Sequence, residues 1–170
     1  AKLVSSLLGV KCVLDVGCFD GRLLDHLGSG YEKLGVEIHK RAAEKAREKG
    51  IVIIADDFTE LGSPPKVAEV VLAIDVIEHT YDPMLFLTEL VHATAPGGYV
   101  IITTGNTDSA TWRLMGSRYW YCHVAEHLSF INPAWVRRAA NHLGLEVVSL
   151  QQFSHEDGRG KWRIQLREII

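Results

Sequence analysis

Along the chain, short apolar runs alternate with stretches of helical periodicity. By this pattern Lys11–Val16 is a buried strand that ends in a turn from Gly17 to Gly21. Leu23–Leu27 opens a helix that stops near Gly28 and Gly30, and Leu34–Ile38 is a second strand. Lys40–Lys49, rich in Ala, Glu, Lys and Arg, predicts a helix with Gly50 in the capping position after it. Ile51–Ala55 is a third strand and Val67–Asp75 a strongly apolar fourth. Asp82 before Pro83 gives an N-cap with proline in the first turn, and a helix follows over Met84–Thr94. Pro96-Gly97-Gly98 turns the chain into a fifth strand, Tyr99–Thr104. Asn132 caps a helix that begins at Pro133 and closes near Gly144, and Leu145–Leu150 and Lys161–Ile170 are two further strands.

Strands alternating with helices predict an α/β fold, a doubly wound, mostly parallel sheet with right-handed crossovers. The connection around Ser154–Gly160 is too short for a parallel crossover, so the last two strands should pair antiparallel. The 170 residues contain no repeat, low-complexity tract or linker-like stretch, which predicts one domain over 1–170. A content of 47% hydrophobic and 23% charged residues is that of an ordinary soluble protein. The formal net charge of −3 supplies no global field to recruit nucleic acid or anionic lipid. Cys12, Cys18 and Cys122 form no C-x-x-C pair and are too few for a disulfide framework, so reduced thiols in a cytoplasmic protein are expected. No apolar run of about 18 residues is present to span a membrane, and the start does not resemble a secretion signal. The missing initiator Met points to a trimmed chain or a fragment.

Ligands of open α/β sheets bind outside the carboxyl ends of the strands. After the first strand comes Asp15-Val16-Gly17-Cys18-Phe19-Asp20-Gly21, where two glycines allow a tight turn and close approach of backbone to a ligand. A phosphate cradle needs bare amides at a helix N-terminus. Asp15 and Asp20 would repel a pyrophosphate, whereas S-adenosylmethionine carries ammonium and sulfonium charges and no phosphate. Glu37 lies about 20 residues beyond Gly17, the spacing of a carboxylate that holds ribose hydroxyls. Asp56 and Asp57 follow the third strand, where either could meet an adenine amino group.

The segments VLDVGCFDGRLL, GVEI, ADDF, AIDVIEHTYDP and APGGYVIITTGN resemble, in order, the successive motifs of class I S-adenosylmethionine-dependent methyltransferases. IEH and EHLSFINPAWVRRAANHLGLEVV are similar to the broad family that includes the ubiquinone-biosynthesis O-methyltransferases. The resemblance runs from about Val13 to Val148. It implies a Rossmann-like, seven-stranded sheet with an antiparallel last strand. It also implies cofactor contacts from Asp15, Gly17, Gly21, Glu37 and Asp56, with Cys18, Ile38, Asp57 and Asp75 completing the candidate set. Phe19 and Asp20 depart from the small residues usual in that loop, and a bulky Phe19 is expected to narrow the methionine end of the pocket. The helix that usually precedes the first strand is shortened or missing.

At the acceptor end, Asp75, Glu78 and His79 cluster after the fourth strand, and 107–131 reads as a lid-like insertion rich in aromatics. Trp112, Tyr119, Trp120, Tyr121 and Phe130 either cover an apolar acceptor or simply pack the insertion. His127, and after it His79, are the candidates for a base that deprotonates an acceptor hydroxyl or amine; a core histidine bonded to backbone is the competing account. The expected acceptor is a small molecule. Asp75, Glu78, His79 and His127 also form a set able to bind a divalent metal, similar to the metal site of small-RNA terminal 2′-O-methyltransferases, although no metal is assigned. Net negative charge argues against RNA. A third alternative is a methyltransferase-like interaction module that binds cofactor without turnover.

Overall fold

The computed structural model describes residues 1–57, 68–154 and 160–168; Val67, the middle of the predicted final connection and Ile169–Ile170 lie outside the described residues. Seven strands form one sheet: β1 (Cys12–Val16), β2 (Glu32–Val36), β3 (Val52–Ala55), β4 (Ala68–Ile74), β5 (Thr94–Gly105), β6 (Leu145–Ser154) and β7 (Gly160–Glu168). Their order is β3-β2-β1-β4-β5-β7-β6. β1 to β5 pair parallel, while β7 runs antiparallel to both β5 and β6. The chain reverses direction of travel across the sheet at β1, which pairs with β2 on one side and β4 on the other. That is the switch point at which such sheets bind ligands.

Among the described residues, six α-helices accompany the strands: α1 (Lys2–Ser5), α2 (Arg22–Asp25), α3 (Lys40–Glu48), α4 (Pro83–His92), α5 (Ala110–Met115) and α6 (Pro133–His142). Because helices cover both faces, β1 is buried along its whole length, and its side chains alternate between two cores. Leu14 and Val16 belong to one core, with Phe86, Leu87 and Leu90 of α4 and Val136 of α6. Val13 faces Leu24 of α2, Ala46 of α3 and Val4 of α1. Asp82 caps α4 by accepting from the backbone N–H groups of Met84 (3.0 Å) and Leu85 (2.9 Å), and Asn132 caps α6 by accepting from Trp135 (2.8 Å).

β5 begins at Thr94 rather than at Tyr99. Its register against β4 jumps from Ala68↔Thr94 to Val70↔Tyr99, so Pro96-Gly97-Gly98 is a bulge within the strand instead of the turn that starts it. The helix expected to run to Thr94 accordingly stops at His92. Residues 107–131 are structured too: α5 is followed by short 3₁₀ turns at Gly116–Arg118 and Trp120–His123.

Candidate active site

The turn after β1 is built on Gly17, whose φ of +78° lies in the region that L side chains avoid. Its N–H donates to the Val36 carbonyl (2.9 Å), and a Cβ here would fall 2.7 Å from Val76 Cγ2. Gly21 (φ +72°) serves packing as well as the turn, since a Cβ there would fall 2.1 Å from Ile51 Cδ1. Phe19 is held at φ +49°, and its N–H donates to Glu37 Oε2 (2.8 Å). This backbone turns the ring outward, 61% exposed and off the cleft wall, so Phe19 does not narrow the pocket as its bulk led us to expect. Asp20 also plays another part. Its carboxylate pairs with Arg22 (3.0 Å) and Lys49 (3.5 Å), which leaves Asp15 and Glu37 as the acidic groups of the turn region.

Glu37 is buried and accepts two backbone N–H groups, Phe19 at Oε2 and His39 at Oε1 (2.7 Å). It thereby ties the β1 turn to the start of α3. Each carboxylate oxygen keeps a further acceptor site for a ligand hydroxyl. Asp15 is 3% exposed, and its Oδ1 has no partner among the described residues. Burial, and then the charge of Glu37, push its carboxyl up to about 7. Burial, followed by Asp15 and Glu37, likewise pushes the Cys18 thiol up to about 12, so this buried sulfur stays protonated.

A cleft of about 520 Å³ opens beside the turn. One wall holds Gly17, Glu37, Ile38, Asp56 and Asp57; the other holds Val76, His79 to Asp82, Leu85 and Phe86. Of the candidate residues, Gly17, Glu37, Ile38, Asp56, Asp57 and His79 line it, while Asp15, Cys18, Gly21, Asp75 and His127 lie outside the lining. Asp56 and Asp57 both face the cleft, so adenine remains open to either. Asp75 takes a left-handed backbone (φ +56°) braced by Thr103, whose hydroxyl donates to Asp75 Oδ1 (2.9 Å) and accepts from Asp75 N–H (3.1 Å). Sequence reasoning missed Thr80, Tyr81 and Leu85. Their signal was position alone, between the end of β4 and the outward face of a helix capped by Asp82.

Behind the His79 wall, Glu78 is 2% exposed; its Oε2 accepts from the Thr104 hydroxyl (3.0 Å) and its Oε1 from the Tyr121 hydroxyl. The Glu78 carbonyl accepts N–H groups from Leu128 (2.7 Å) and Ser129 (3.0 Å), and the Ser129 hydroxyl donates to the Thr80 carbonyl (2.6 Å). The 107–131 segment is thus strapped to the wall, with Trp112, Tyr119 and Tyr121 buried in a small core of their own. His79 Nδ1 bonds the Glu126 carbonyl (3.0 Å) and His127 Nδ1 bonds the Tyr121 carbonyl (2.9 Å). A carbonyl only accepts, so each Nδ1 carries a proton, and a bare Nε2 is what the neutral form of either ring presents. The two rings lie edge to face, 5.0 Å between centroids.

Residues 1–150 match the sequence profile of a family described as a methyltransferase domain. The chain belongs to that methyltransferase family. The ubiquinone biosynthesis O-methyltransferase of Thiobacillus denitrificans is 27% identical over 174 aligned positions, covering 93% of this chain and 74% of the relative. The enzyme of the same description from Azorhizobium caulinodans is 29% identical, covering 96% and 70%. Among solved structures, a SAM-dependent methyltransferase from Archaeoglobus fulgidus superposes with a TM-score of 0.78 at 19% identity, covering 98% of this chain and 90% of that one. The N-methyltransferase NodS of Bradyrhizobium japonicum, solved with S-adenosylhomocysteine, gives 0.73 at 18%, covering 99% and 83%. The Rossmann-like α/β fold of these methyltransferases is therefore the fold of this chain.

S-adenosylmethionine is the methyl donor of this family's chemistry, and the residues present fit it. Among the described residues, the cleft lining carries four carboxylates, those of Glu37, Asp56, Asp57 and Asp82, and neither lysine nor arginine. Such a wall repels phosphate and accepts a ligand with ammonium and sulfonium charges. One buried Asp15 oxygen beneath the turn lacks a donor among the described residues, and its carboxyl adds to the acidic character of the region beside the cleft.

Proposed function

We propose that this methyltransferase moves a methyl group to a hydroxyl of a small aromatic acceptor, with His79 receiving the hydroxyl proton and His127 standing behind it. The observation that carries this reading is the placement of His79 on the wall of an acidic cleft with its Nδ1 tied to the Glu126 carbonyl. Bound cofactor supplies an electrophilic methyl group on a sulfonium. Glu37 holds the ribose hydroxyls, Asp56 or Asp57 meets the adenine amino group, Gly17 lets the ligand pass close to backbone, and Asp15 balances the ammonium. Ile38, Tyr81 and Leu85, exposed at the cleft, offer apolar surface to an aromatic ring. Oxygen is preferred over nitrogen because the relatives of similar sequence are O-methyltransferases. With the donor bound and its methyl group moving from sulfur to the acceptor oxygen, His79 Nε2 would take up the hydroxyl proton. Alignment of the two reactants supplies much of the rate, and the base adds to it.

His79→Asn tests the assignment, with catechol as probe acceptor. Turnover should fall about 10²–10⁴-fold while affinity for S-adenosylhomocysteine stays unchanged. Full turnover in a folded variant would remove His79 from the chemistry.

One observation favours a second reading. Ligand atoms of Glu78, His79 and His127 lie within 4.8 Å of one another, a set that a divalent cation could draw together to grip acceptor oxygens; Asp75 falls outside it. On that reading EDTA abolishes wild-type turnover and added Mg²⁺ or Mn²⁺ restores it.

A further inference from the structure

Tyr121 is assigned no contact with cofactor or acceptor, yet it touches His127, the ring that stands behind the proposed base. Its hydroxyl donates to Glu78 Oε1 and accepts from Gly105 N–H (3.1 Å). Its carbonyl accepts the Nδ1 proton of His127, and its ring lies against that imidazole, 4.0 Å between centroids. The fit is close, since a Cβ on Gly105 would fall 2.6 Å from the tyrosine ring. Glu78 makes the clamp stiff, because a buried carboxylate stripped of a donor is costly. Burial, and then Glu78, hold the phenol far above its ordinary range, so it remains a hydroxyl that donates.

We propose that Tyr121 is a positioning residue for methyl transfer: clamped between Glu78 and Gly105, it fixes the plane and Nδ1–H tautomer of His127, and the His127 ring in turn keeps His79 Nε2 turned to the cleft. The role rests on the base reading above. Nothing in it requires Tyr121 to meet a ligand. The hydroxyl sets where the 3₁₀ turn Trp120–His123 sits, and that turn carries the carbonyl that orients His127.

The test compares wild type with Tyr121→Phe, which keeps the ring and deletes only the hydroxyl. Imidazole ¹⁵N spectra at pH 8, with S-adenosylhomocysteine bound, should show Nδ1–H and bare Nε2 for both histidines in wild type. In Tyr121→Phe the His127 signals should move to a mixture of tautomers. Turnover of catechol should fall about 10–10²-fold with its KM little changed, as a misplaced ring predicts. A residue that merely packs the segment would lower the Tm and leave the His127 tautomer and kcat per folded molecule as in wild type; that result overturns the proposal. If Tyr121→Phe fails to fold, Thr104→Val, which removes the other donor to Glu78, must produce the same His127 shift, and an unshifted spectrum again overturns it. His79→Asn with full turnover would sink the base reading by itself, while the nitrogen spectra judge Tyr121 separately.

Discussion

Glu37 has two duties, and its removal exposes both. Glu37→Ala deletes the proposed ribose partner and strands the Phe19 and His39 N–H groups. Affinity for S-adenosylhomocysteine should drop by about 1–3 kcal/mol, measured by calorimetry, and the Tm should drop with it. Unchanged affinity in a folded variant would refute the ribose assignment. Asp15 yields a pH dependence whose sign follows from its raised carboxyl. Its ordinary value of 3.8 applies to the unfolded chain and about 7 to the folded one, so between these values the folded state holds more proton. Stability from this group is present below about pH 4 and is lost as pH rises to about 7, at most about 4 kcal/mol. Asp15→Asn should therefore melt higher than wild type at pH 8 and level with it at pH 4; equal melting at both would show that Asp15 is not strained by its burial. Asp15, Gly17 and Glu37 could be singled out in the sequence because charge and spacing act within a short stretch; the structure puts Gly17 and Glu37 on the cleft wall and Asp15 outside the lining. The Glu78–Tyr121 clasp could not, because its partners are 43 residues apart and no periodicity connects them.

Elements were read well where local chemistry decides them. Asp82-Pro83 and Asn132-Pro133 start α4 and α6 as their side chains require, and the short final connection forced the antiparallel pairing of β6 with β7. The start of β5 was misread because Pro-Gly-Gly carries the composition of a turn, and only pairing with β4 makes it a bulge. Likewise, the aromatic run of 107–131 gave no hint of α5, whose Ser109 cap accepts from Trp112 N–H (3.2 Å). The α4 cap matters beyond stability, since Thr80, Tyr81 and Asp82 lie on the cleft wall. Asp82→Ala should cost about 1 kcal/mol, lowering the Tm by roughly 2–4 °C, and weaken cofactor binding less than tenfold. A drop of several kcal/mol would mean that Asp82 does more than cap the helix.

For the molecule as a whole, the acidic cleft predicts which adenosine-containing ligands stabilise it. S-adenosylhomocysteine at 100 times its Kd should add about 2.7 kcal/mol, read as a thermal shift, whereas ATP and NAD at the same concentration should add none. A matching shift with ATP would show that the carboxylates do not select the ligand. Fold class was legible because the order of strands and helices constrains the sheet. The shape of the cleft was not, because its second wall comes from side chains between β4 and the first turn of α4 that share no pattern. One consequence of the strand order concerns synthesis. β7 comes after β6 in the chain, yet it sits between β5 and β6 in the sheet. Until residues 160–168 have left the ribosome, β5 presents a bare hydrogen-bonding edge and β6 has no place in the sheet. The nascent chain is therefore open to pairing with its neighbours until translation of β7 closes the gap.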